Sequence, residues 1–331
     1  MTTLHIDQTA QQQIRRFNSK LARLPRFRMR NRFTPVLGQA LLRLSQVGAD
    51  RKLARRGIRV ERHVADCDGL RVPLRVLRPA GPGPVGAVVL DIHGGGWVIG
   101  NARMDDKLNA DMIQACAVAV VSVDYRLALD TPIQGLMDDC LAAAHWLLGG
   151  GLPEYAGLPV FVVGESAGGH LAAATLLRLA DWPDLLGRIA GAVLYYGVYD
   201  FTGTPSVRQA GPDTLVLNGP EMVASLRMLT PGLTDAERRL APLSPLHGEL
   251  AGMPPALLFA GEIDPLRDDT ITMAARWRAA IGVDAVELQL LPETPHGVIH
   301  FPLRMARQVT ARAHAWLRAR IDAAHSASLS P

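Results

Sequence analysis

Gly164-Glu165-Ser166-Ala167-Gly168 joins the apolar run 159–163 to a run of helical period over 171–179, and so places one serine on a tight strand-to-helix turn. Such a turn strains the backbone of its central residue and leaves no room for Cβ atoms, which is why glycines flank it. The helix that follows aims free backbone N–H groups at the bond-making position. A G-x-S-x-G pattern alone is moderately specific. Upstream, His93-Gly94-Gly95-Gly96-Trp97 follows a second strand-like run, 87–92, and supplies the glycine-rich backbone that an oxyanion-binding loop requires.

Working outward from these two stretches, short β-rich runs at 70–77, 87–92, 117–123, 159–163, 191–196, 256–261 and 285–291 alternate with segments of helical period. The helices fall at 107–116, 133–148, 168–179, 270–281 and 302–321. Alternation of this kind predicts an α/β fold with right-handed crossovers and a mostly parallel central sheet flanked by helices, its ligand site outside the carboxyl ends of the strands. Two stretches break the alternation. Residues 1–62 read as helix and loop without a strand partner, and 201–245 is rich in Gly and Pro. Together they predict a helical cap: an N-terminal cap segment at 1–62, a cap insert at 201–245, and a core at 63–200 and 246–331.

The chain of 331 residues is 48% apolar and 20% charged, which suits one large buried core plus a cap. Polar glutamines near the amino terminus and the lack of a long apolar run point to a cytoplasmic protein. Cys67, Cys116 and Cys140 are too scattered for a zinc site and read as buried or free thiols. The net charge of +4 is unevenly spread: through residue 62 there are fifteen Lys or Arg against Asp7, Asp50 and Glu61, so +12 there leaves −8 for the rest. The segment from Arg23 to Arg32 interleaves basic and apolar residues, a pattern able to touch an acidic membrane or nucleic acid. The solvated face of a helical arm is preferred over membrane contact, and no nucleic acid partner is expected.

An ester-cleaving serine needs a base, a group that orients the base, and donors for the developing oxyanion. Ser166 is the nucleophile candidate, with Gly94, Gly95 and Ala167 as backbone donors. Asp264, just past the strand at 256–261, is the candidate orienting acid; Glu262 is a weaker alternative, and Asp268 and Asp269 fit better as acidic residues opening a helix. The base lies in Pro295-His296-Gly297-Val298-Ile299-His300-Phe301, where His296 is favoured over His300 because it is nearer the strand end and followed by glycine. Pro295, Gly297 and Pro302 argue against a helical His–His metal pair, and neither a metal nor an organic cofactor is required.

These segments resemble the hormone-sensitive-lipase-like family of α/β-hydrolases, bacterial family IV with its acetylesterase-like members, in which an HGGG segment precedes a G-[DE]-S-A-G-G elbow. The similarity runs from about residue 68 to the terminal helix and includes Asp124-Tyr125-Arg126-Leu127-Ala128 and Asp264-Pro265-Leu266-Arg267-Asp268. Leu129 and Asp130 replace the family's usual Pro and Glu, and Val298 stands where an aromatic is common. The resemblance implies an α/β-hydrolase fold with a helical cap and a triad of Ser166, Asp264 and a histidine in the 295–301 segment. The second histidine of the acetylesterase-like members again favours His296. The implied activity is that of a serine carboxylesterase acting on small short-chain acyl esters through an acyl-enzyme. An amidase or formamidase using the same residues is the alternative, and a non-catalytic ligand-binding protein a more distant one. The family also often pairs, so a homodimer is expected to be possible.

Overall fold

A computed structural model describes residues 6–27, 33–67 and 69–328. Half of the basic segment from Arg23 to Arg32, residues 28–32, and the last residues, 329–331, therefore lie outside the described residues. The strands are β1 (Ile58–Cys67), β2 (Leu70–Pro79), β3 (Ala87–Ile92), β4 (Val118–Val123), β5 (Val160–Glu165), β6 (Ile189–Tyr195), β7 (Ala256–Gly261) and β8 (Val286–Leu291). They form one sheet in the order β1-β2-β4-β3-β5-β6-β7-β8. Pairing is parallel from β4 to β8, and β2 runs antiparallel to both its neighbours.

Every residue of β3, β4, β5 and β7 is buried. These strands are dominated by Val, Ala and Leu because helices cover both faces, and the buried polar exceptions, Asp91, Ser122 and Glu165, are hydrogen-bonded. Before the insert the helices are α1 (Gln8–Leu21), α2 (Phe33–Ser45), α3 (Ala49–Arg55), α4 (Asp106–Cys116), α5 (Ile133–Leu148), α6 (Ala167–Leu179) and α7 (Pro183–Leu186). The long connection from β6 to β7 carries α8 (Pro205–Arg208), α9 (Met222–Leu229) and α10 (Asp235–Arg238), and α11 (Arg267–Ile281) and α12 (Arg304–Ser328) follow. One apolar layer, with Leu90, Ile92, Leu136, Leu171 and Trp277, lies under α5, α6 and α11. The other, with Val89, Phe161, Ile113 and Trp316, lies under α1, α4 and α12. No helix among the described residues is long and apolar enough to cross a membrane.

The boundary drawn at residue 62 needs correction, because residues 58–62 belong to β1. This edge strand carries Arg59, Glu61, Arg62 and His63, whose charges hide its extended character; Glu61 pairs with Arg59 at 2.9 Å and with Arg78 on β2. Charges on an edge strand prevent further strand addition, so the residues that obscured the strand also protect it.

Candidate active site

Ser166 sits between the last residue of β5 and the first of α6, with φ 54° and ψ −120°. For a residue with a Cβ that conformation costs on the order of 1–3 kcal/mol, and the surroundings impose it. Its N–H donates to the Tyr195 carbonyl at the end of neighbouring β6 (2.9 Å), and its own carbonyl accepts from His170 N (3.1 Å). A glycine is demanded at 168, where a Cβ would stand 1.9 Å from the carbonyl oxygen of Ile92. The elbow is thus wedged against the end of β3.

The structure brings Ser166, His296 and Asp264 together from three strand ends. His296 Nε2 lies 2.8 Å from Ser166 Oγ, and its Nδ1 lies 2.8 Å from Asp264 Oδ2. Asp264 Oδ1 accepts from Leu266 N (2.9 Å), which restrains the carboxylate beside the ring it holds. The edge of the Tyr196 ring packs on the imidazole, with centroids 4.7 Å apart. Burial pushes the His296 imidazole down, but the Asp264 carboxylate, aided by Glu165, outweighs it and leaves the group above its ordinary value.

His300 does not reach Ser166. Its Nε2 is 3.3 Å from Glu165 Oε1 and 3.8 Å from Asp105 Oδ1. Against the opposing effect of burial, those carboxylates raise it to about 9, so it stands beside them as a cation. Glu262 is exposed and accepts from Glu293 N, away from the triad. Asp268 and Asp269 occupy the first turn of α11, as their positions imply. Asp269 does more than complement a helix: fully buried, it accepts from the N–H groups of Tyr199 and Asp200 and from Thr204 Oγ1, and burial carries its carboxyl up to about 7.

The glycine loop departs from expectation at one residue. The Gly94 N–H donates to Glu165 Oε1 at 3.0 Å, so it is engaged in holding the loop to the elbow rather than facing the site. The Gly95 carbonyl accepts from Val98 and Ile99, and Gly95 itself has φ +106°, with Ile99 O only 1.8 Å from where a Cβ would stand. Among the described residues the N–H groups of Gly95 and Gly96 have no acceptor, and Ala167 as the first residue of α6 has none within its helix. The sequence signal missed was the glutamate before the serine, a buried carboxylate that has to find a donor.

Two histidines brace this loop. His93 is stacked on Tyr125 at 4.2 Å, and burial keeps its imidazole low. His170 accepts at Nδ1 from Trp97 Nε1 (3.1 Å) and bonds the Leu243 carbonyl through Nε2 (2.9 Å). Burial lowers it to about 4, which keeps it neutral, and the Trp97 donor at Nδ1 leaves the proton on Nε2. Above Ser166 lies a cavity of about 70 Å³, walled by Phe27, Trp97, Val198, Leu217, Met222 and Leu226. Phe27 is tied there by its backbone, its N–H donating to Val216 O at 2.7 Å.

Comparison with known proteins gives a consistent picture. A family model described as alpha/beta hydrolase fold matches residues 89–300. The chain is 34% identical over 275 residues to the carboxylesterase NlhH of Mycobacterium tuberculosis, covering 80% of this chain and 84% of that protein. It is 34% identical over 245 residues to an ethyl acetate hydrolase of Pseudomonas putida, covering 72% and 73%. Among solved structures, an esterase from the bacterial hormone-sensitive lipase family superposes with a TM-score of 0.73 at 26% identity, covering 96% of this chain and all of that one (100%). The chain belongs to the hormone-sensitive-lipase-like family of α/β-hydrolases and is a carboxylic ester hydrolase.

Proposed function

We propose that the chain is a serine carboxylesterase that cleaves small, short-chain acyl esters through an acyl-enzyme. The observation that carries this reading is the unbroken relay Ser166 Oγ, His296 Nε2, His296 Nδ1, Asp264 Oδ2, with both links at 2.8 Å. His296 takes the Ser166 proton as Oγ bonds to the ester carbonyl carbon, and it returns that proton to the departing alcohol when the tetrahedral adduct collapses. Water then repeats the sequence on the acyl-enzyme and releases the acid. Asp264 holds the ring in the productive tautomer and offsets the imidazolium charge. The N–H groups of Gly95, Gly96 and Ala167 receive the oxyanion, with Gly96 in place of Gly94, whose N–H serves Glu165.

The acyl-length assignment is supported by the small apolar cavity over Ser166. The name ethyl acetate hydrolase, borne by one relative, points the same way. Phe27 from the amino-terminal stretch and Met222 and Leu226 from 201–245 form the cap over Ser166. p-Nitrophenyl esters of graded acyl length test the reading. Turnover should peak at acetate or butyrate and decline with longer chains, and Ser166→Ala should abolish it together with fluorophosphonate labelling. A flat profile out to long acyl chains refutes the short-chain assignment, and a Ser166→Ala variant that still turns over refutes the nucleophile.

A further inference from the structure

Helix α2 buries Pro35 and Gln39 on its inner side, with Leu42 half-buried, and presents an apolar stripe outward. Gln39, only 8% exposed, bonds Gly100 in both directions, Nε2 to O and N to Oε1, each at 2.8 Å. Gln46, just beyond the helix, exchanges amide hydrogen bonds with Asn101. The opposite face presents Val36, Leu37, Leu41 and Leu44, with Val47 following, all between 57% and 71% exposed. Their spacing covers one stripe of the helix, and soluble monomers rarely leave such a stripe without an occupant.

Charge distinguishes the occupants. The stripe lies in the part of the sequence with fifteen basic residues against three acidic ones, and Arg43 on α2 and Arg51, Lys52 and Arg55 on the following α3 are exposed. A second copy docked by two-fold symmetry would bring two such positive excesses together. A nucleic acid would satisfy the charges and leave the leucines in water. An anionic bilayer surface satisfies both, because leucines enter the acyl boundary while Arg and Lys meet the headgroups. At thirteen residues α2 is about 20 Å long, suited to lying in the interface rather than crossing it. We infer that α2 docks this enzyme on an anionic lipid surface through Leu37, Leu41 and Leu44. Its inner side grips Gly100, at the end of the loop that carries Gly95 and Gly96, so the docked helix is tied to that loop from its opposite side.

Co-sedimentation of the full chain with phosphatidylcholine vesicles, with and without about one third phosphatidylglycerol, tests the inference. The wild type should pellet with the anionic vesicles and be released by added salt. The triple variant Leu37→Glu, Leu41→Glu, Leu44→Glu should bind at least about tenfold more weakly. Its turnover of p-nitrophenyl butyrate in vesicle-free buffer should match the wild type, which shows that it is folded. A wild type that stays in the supernatant, or a triple variant that pellets equally well, overturns the inference. Self-association abolished by the triple variant without vesicle binding replaces the lipid with a second copy. Retention on DNA that the triple variant leaves untouched replaces it with nucleic acid.

Discussion

His296 and His300 are separated by three residues and have opposite surroundings, which makes their exchange of influence measurable. Glu165 raises the His296 imidazole, whereas the His300 cation lowers it. Because the base must be neutral to accept the serine proton, the acid limb of kcat/KM should lie above the ordinary imidazole value. Glu165→Gln should move that limb to lower pH and His300→Gln to higher pH, with kcat changed by less than about tenfold in both. Limbs that move together, or do not move, refute the electrostatic link. His300 also carries a stability signature. Its folded value of about 9 exceeds the unfolded value of about 6.5, so its contribution is complete below the unfolded value and is lost as pH rises through about 9. Urea midpoints of the wild type should therefore fall from neutral to alkaline pH more steeply than those of His300→Gln. The meeting of Ser166, Asp264 and His296 was legible at this scale because strand ends and glycines mark those positions. The Gly94 donor was misread because a motif does not say which of three consecutive N–H groups a neighbouring carboxylate takes.

At the scale of elements, the buried parallel strands were readable as runs dominated by Val, Ala and Leu, and β1 was not, since its many charged residues leave no such run. The elbow shows how tightly two elements are coupled. Gly168 lets α6 start against the end of β3, and an alanine Cβ would meet Ile92 O at 1.9 Å. Neither atom is on a flexible side chain, so the strand end or the elbow has to shift. Gly168→Ala should destabilise by about 1–3 kcal/mol and lower kcat by on the order of a hundredfold as Ser166 leaves its place opposite His296. Thermal melting and pre-steady-state kinetics read the two effects separately, and near-wild-type values in both would show that the contact relaxes freely. Phe27 governs another junction, closing the pocket from outside the sheet. Phe27→Ala should shift the preferred acyl chain toward longer esters; an unchanged profile would remove it from the acyl wall.

Across the whole molecule, the amino-terminal stretch divides between two tasks that its composition does not separate. Phe27 reaches the pocket, while α1 packs on α12 with Ala10 and Ile14 fully buried in the apolar layer under α1, α4 and α12. From there α1 reaches the loop that carries His296. Asn18 Nδ2 donates to the Glu293 carbonyl at 2.8 Å, and Arg15 Nε meets Glu293 Oε2 at 2.6 Å. Glu293, at φ 51°, is held in a left-handed conformation three positions before His296. Packing and tethering should therefore come apart on mutation. Ile14→Ala removes buried volume and should cost about 2–4 kcal/mol of stability while kcat per folded molecule is preserved. Arg15→Ala with Asn18→Ala breaks an exposed ion pair worth no more than about 1 kcal/mol, so the urea midpoint should barely move. Yet kcat should fall, by up to about tenfold, with KM unchanged, because the loop that aims His296 loses its anchor. If the double variant keeps full kcat, the loop is positioned by Asp264 and Tyr196 alone, and α1 serves only to cover α12.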